Sequence, residues 1–154
     1  MSRVVRRRSE AAPARGSERE RGQSLVEFSL ILLPFLLLLM GLVDLGRGVY
    51  TYNSVSQAAR EIARASSFCN GPCDVGTSSK AQAAKNEQME LVPGLTSSGI
   101  SVACVDINDE APEYGCRPGD FVRVTVTVSF SPITPLIGQL GPFTLQSVAR
   151  LQYS

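Results

Sequence analysis

Residues 22–47 read GQSLVEFSLILLPFLLLLMGLVDLGR, and the reading of this stretch decides the fold. From Leu25 to Val43 it holds 19 residues with one charge, Glu27. At about 1.5 Å per residue, a helix of this length reaches roughly 28 Å and crosses the hydrocarbon core of a bilayer. A buried core helix is the competing reading. The 87 residues from 68 to 154 are too few to wrap a helix that is apolar on every side. A cleaved signal peptide fits no better. The apolar run exceeds the usual ~7–15 residues, Glu27 interrupts its start, and no Ala-x-Ala site follows closely. The expectation is a transmembrane helix over 23–44.

The charge on either side sets the orientation. Residues 1–22 carry seven Arg and three Glu, a net +4, and the remainder carries −3. Only Arg47, Arg60 and Arg64 follow the apolar run within about 20 residues. Residues 1–22 therefore read as a cytoplasmic basic leader and 45–154 as an extracytoplasmic domain, in a single-pass protein of the cell membrane. Pro13, Gly16 and the lack of periodicity give the leader, up to Arg21, the character of a disordered tail. Basic residues ahead of an apolar segment, rather than striped over a folded face, argue against a nucleic-acid partner.

The chain has no His. That excludes Ser-His-Asp and Cys-His nucleophiles, a His general base and His-ligated zinc. Carboxylates with suitable catalytic spacing are also missing from the pattern. No enzymatic activity, cofactor, metal or small-molecule substrate is expected.

Beyond the span, apolar residues recur at Leu45, Val49, Tyr52, Val55, Ala59, Ile62 and Ala63. Steps of three and four mark one face of an amphipathic helix over 45–67, and the whole stripe is expected to pack on the domain. Asp44 and Arg47 lie three apart and can pair across one turn at the outer end of the span. Pro34 removes the bond to the Leu30 carbonyl and is expected to bend the helix. Phe68-Cys-Asn-Gly-Pro-Cys73 is rich in turn residues and should end it. A short helix follows at 78–91, with Ser78 or Ser79 as N-cap and Pro93-Gly94 as its stop.

Strands are expected near 100–107, 121–130 and 143–153. The middle one alternates cleanly, with Val122, Val124, Val126, Val128 and Phe130 on one face and Arg123, Thr125, Thr127 and Ser129 on the other. In the last, Phe143, Leu145, Ala149, Leu151 and Tyr153 share a face. Between these two strands Thr134, Pro135 and Gly141 frame a helical turn as N-cap, first residue and stop. The fold class is α+β: a long transmembrane-to-amphipathic helix packed on a small antiparallel sheet.

Cys69, Cys73, Cys104 and Cys116 would all face an oxidising compartment, so disulfides are the default. Three connectivities are open. Local pairing, Cys69–Cys73 and Cys104–Cys116, suits a turn at the helix end and a loop between two paired strands. The compartment disfavours zinc, and Cys69-x3-Cys73 is one residue too long for a thioredoxin-like redox pair.

Gly22-Gln-Ser-Leu-Val-Glu27-Phe28 resembles a type IV prepilin processing site. The flanking GQSLVEFSLILLPFLLLLMGLVDLGR resembles the TadE-like family of the tight-adherence (Flp pilus) system. QAAREIARAS and VRVTVTVSF, SPITPLIGQL and GPFTLQSVARLQY resemble the rest of that family's domain. The resemblance implies a pilin-like fold. A prepilin-type peptidase would cut between Gly22 and Gln23, and Glu27 and Phe28 would serve assembly. Partners would be the membrane and subunits of a pilus or related secretion machinery. In such proteins the Glu pairs with the new amino terminus of a neighbour. A carboxylate at this depth costs at least about 2.5 kcal/mol, so a partner is physically demanded unless it snorkels to the surface. The contrasting expectation is an unprocessed single-pass anchor displaying a small binding domain.

Overall fold

The computed structural model describes residues 16–68, 75–113, 115–139 and 141–153. One helix, α1 (Gly16–Ser66), carries both apolar segments. The chain divides into two compact units between Leu39 and Met40, each described in turn.

In the first unit α1 starts six residues before Gly22, where a disordered tail was expected. Residues 16–21 are Gly-Ser-Glu-Arg-Glu-Arg, and Glu and Arg are good helix formers. Extending an existing helix needs no new nucleus, so these residues join it. The helix runs without a break through Pro34.

The second unit places α1 residues beyond Met40 beside a three-stranded antiparallel sheet. Helix α2 (Ser79–Leu91) comes first, then a 3-10 turn at Ser97–Gly99 and strand β1 (Ile100–Val105). Strand β2 (Phe121–Phe130), the four-residue α3 (Pro135–Gly138) and β3 (Phe143–Gln152) complete it. The strand order is β1-β2-β3, with Cys104 opposite Val122 and Phe130 opposite Phe143. The Ser78 hydroxyl caps α2 by accepting from the Ala81 amide at 3.2 Å. Gly94 then turns the chain at φ +80°, in the left-handed region that favours glycine. At Gly99 a Cβ would lie 2.4 Å from the Thr127 carbonyl oxygen, so only glycine lets this turn lie against β2.

The core follows from the alternation in β2. Val122, Val124, Val126 and Val128 are buried, and Val55, Ala58, Ala59, Ile62 and Ala63 of α1 pack in the same cluster. Val75, Ala84, Val92 and Leu95 extend it, with Ala149 and Tyr153 from the third strand and its end. Each fully buried Val or Ile contributes about 1.5–3 kcal/mol.

The expected helix stripe is only half right. Its upper part is buried, but Leu45, Val49 and Tyr52 are 63%, 54% and 51% exposed. The line that faces the domain here is Asp44, Gly48, Thr51 and Val55. Gly48 has the Phe130 ring 3.8 Å from where its Cβ would be, and Thr51 satisfies its own hydroxyl on the Arg47 carbonyl at 2.9 Å.

Candidate functional site: the apolar helix and the point where it meets the domain

The amino-terminal site is a helix surface. From Leu25 to Leu39 the apolar side chains stand exposed, apart from the half-buried Leu32 and Leu37. Glu27 is the one ionisable side chain between Gly22 and Val43, and it too is exposed. Gln23 and Glu27 are four apart and so lie on one face, one turn from each other. At Gly22 a Cβ would meet nothing within 4 Å and the backbone is ordinary helix. Packing therefore does not require glycine there. Phe28 is 62% exposed and makes the next step of the same apolar surface. The helix from Gly22 to Ser66 is long and apolar enough to cross a membrane.

A second site lies one residue past the apolar run. Asp44 is 5% exposed. Its carboxylate accepts from the Ile133 amide at 3.0 Å, the Thr134 amide at 2.7 Å and the Thr134 hydroxyl at 2.6 Å. Arg47 adds the expected ion pair at 3.3 Å and sets its guanidinium 5.4 Å from the Phe130 ring centre. A charged acceptor with several donors is the strong form of hydrogen bonding. It holds the connection between β2 and β3 against α1. Thr134 stands at the N-cap of α3, with Pro135 in the first turn, but its hydroxyl serves Asp44 rather than capping. The sequence points to Asp44 only as half of a local pair with Arg47. Its main partners are 89 and 90 residues away, beyond any local pattern.

At the far end of the sheet, Cys104 and Cys116 form a disulfide with 5.7 Å between Cα atoms, closing the connection between β1 and β2. Both sulfurs are thereby unavailable as thiolate ligands, although Asp120 lies close. Cys69 and Cys73 lie outside the described residues. In the loop, the Asp106 carboxylate accepts from the amides of Asn108 at 2.8 Å and Glu110 at 2.9 Å. The Glu110 amide, foremost, and Asn108 hold its pKa below the ordinary aspartate value, against a smaller opposing effect of burial. Arg123 and Arg150 both approach Asp109, at 3.7 and 3.5 Å, as exposed pairs.

An apolar helix with one carboxylate near its start, leading into a disulfide-closed α+β domain, is compatible with a single-pass membrane protein. A family model described as TadE-like protein matches residues 22–64. The matched stretch takes in Gly22, Glu27 and the whole apolar run, and ends within the part of α1 that packs on the sheet. No curated protein matches the chain, and no solved structure does.

Proposed function

We propose that this chain is a minor pilin or pseudopilin of a tight-adherence (Flp-type) pilus or related secretion system. It is anchored by one span with its amino terminus in the cytoplasm. A prepilin-type peptidase removes the leader after Gly22, and the mature chain assembles through its helix with other subunits of the machinery. The role is structural. The observation that carries this reading is the pairing of Gly22 with Glu27. The first is a glycine that nothing in the fold demands, and the second is the single ionisable group on an exposed apolar helix. Cleavage would free the Gln23 α-amine one turn from Glu27. A neighbouring subunit's amine is then a natural partner for a carboxylate that is expensive to leave alone in lipid.

The test separates cleavage from assembly. Mass spectrometry of the membrane-extracted chain should find an amino terminus at Gln23 when a prepilin-type peptidase is present. Glu27→Ala keeps Gly22 and makes the helix more apolar, so insertion and leader removal should persist. Co-purification with differently tagged copies or with the major pilin should fall about tenfold or more, and Glu27→Gln should behave alike because it also lacks the charge. An intact leader in a peptidase-bearing host would favour an unprocessed anchor. Equal co-purification of Glu27→Ala and wild type would reduce Glu27 to a snorkelling side chain.

A further inference from the structure

Exposed apolar surface gathers at one end of the second unit. Leu45, Val49 and Tyr52 of α1 face Phe130, Phe143 and Leu145 of the sheet across an open groove of about 780 Å³. Gly41, still inside the apolar run, forms part of its wall, and so does the buried Asp44. The connection beside it presents Ile133 at 62% exposure. Residues 129–145 contain no Asp, Glu, Lys or Arg. Residues 106–123, at the other end of the sheet, contain five acidic and two basic side chains. The domain is thus polarised along β2, whose ends are about 30 Å apart at 3.3 Å per residue.

Two facts say what covers the groove end. It adjoins the last turn of the apolar run, because Gly41 to Val43 are continuous in α1 with Asp44, which holds the Ile133 and Thr134 amides. The connection from Ser129 to Leu145 also lacks the charges that the opposite connection has, and the half-exposed Arg47 over Phe130 is the kind of cation that suits a headgroup layer. The headgroup layer is about 5–8 Å deep, and one to two turns of α1 beyond Val43 pass through it, bringing this end to lipid depth.

We infer that the base of the domain is a lipid-docking surface. Ile133 and Phe143 enter the outer headgroup region, and the groove between α1 and β3 takes the upper part of a phospholipid acyl chain. This rests on the single-span reading of residues 23–44. It adds that the domain is held down on the bilayer and does not stand clear of it on its helix.

The chain has no Trp, so introduced tryptophans report without background. Ile133→Trp probes the base, and Ile107→Trp, at a site 79% exposed at the other end of the sheet, is its matched control. Leu36→Trp reports whether the span is inserted. The full chain is reconstituted in phosphatidylcholine–phosphatidylglycerol vesicles containing spin-labelled lipid. Headgroup-proximal label should quench Ile133→Trp at least about twofold more than Ile107→Trp, and Leu36→Trp should respond to the deep label. Phe143→Trp, an aromatic replacement at a partly exposed site, should follow Ile133→Trp and guards against local misfolding. If Leu36→Trp is quenched while Ile133→Trp and Phe143→Trp match Ile107→Trp, the docking surface is overturned and the span stands. If Leu36→Trp is not quenched, the span fails and the inference with it. Blue-shifted emission at Ile133→Trp without quenching by lipid label would show a second protein copy in the groove and also overturn it.

Discussion

The two ends of the sheet are closed by different means. At the Val105–Phe121 end a covalent bond, Cys104–Cys116, closes the connection, and exposed Asp and Arg side chains decorate it. At the Phe130–Phe143 end there is no covalent closure among the described residues. A single buried carboxylate, Asp44, takes three hydrogen bonds from Ile133 and Thr134. Charge at the first end sits in water, where exposed ion pairs contribute little and are easily replaced. The Asp44 carboxylate at the second end is withdrawn from solvent and tied to backbone, so its replacement leaves donors without an acceptor. Charged side chains can therefore be exchanged at the disulfide end at less cost than Asp44 at the other.

The largest effect expected from breaking this contrast comes from the covalent end. Replacing Cys104 and Cys116 together by Ser should cost about 3 kcal/mol, the loop-closure value for a bridge spanning 12 residues. Chemical denaturation of the refolded chain would measure it. Amide exchange should show the loss of protection concentrated at Val105 and Phe121, with Ile133 and Thr134 little changed. Uniform loss along β2 would mean that the two ends are not independent.

Asp44→Asn should act next, and at the opposite end. The amide keeps one acceptor oxygen but loses the charge and the second acceptor. Exchange at the Ile133 and Thr134 amides should rise about tenfold or more while the disulfide end stays protected. Arg47→Ala should do less, because Arg47 is half exposed and holds one long contact to Asp44. Equal effects of the two substitutions would refute the view that the loop amides, rather than the ion pair, define this junction.

The smallest effect concerns acid. Asp106 has its pKa lowered in the folded chain by the amides it accepts from. Its contribution is therefore fully present above the ordinary aspartate range and lost as pH falls through the lower folded value. Exchange corrected for intrinsic pH dependence should show the Asn108 and Glu110 amides opening in that acid window. Asp106→Asn should abolish the pH response of this turn without altering the Ile133 amide.

Much of this architecture was legible in residue order because the interactions that make it are local or periodic. The apolar run before Asp44 specifies a helix of membrane length. Val122, Val124, Val126 and Val128 alternate because a strand has a period of two, and one sheet face needs cover. Ser78 before α2 announces a helix start through the hydrogen bond a hydroxyl can make two or three residues on. Cys104 and Cys116 flank a connection between strands that the pattern already pairs. Periodicity overreached on α1: it counted Leu45, Val49 and Tyr52 into the packed face because it weighs apolar side chains and cannot weigh where the sheet ends.

The sequence by itself determined the apolar helix, the three strands, their inward face and the Gly22–Glu27 pattern, since each depends on residues within a few positions of one another. Only the tertiary structure decided which line of α1 meets the domain, what Asp44 is for, and that an apolar groove lies beside the end of the apolar run. Those features depend on a carboxylate meeting amides 89 and 90 residues later in the chain. A polar residue recruited to a buried contact leaves no periodic trace, because its energy comes from partners that only folding brings within reach.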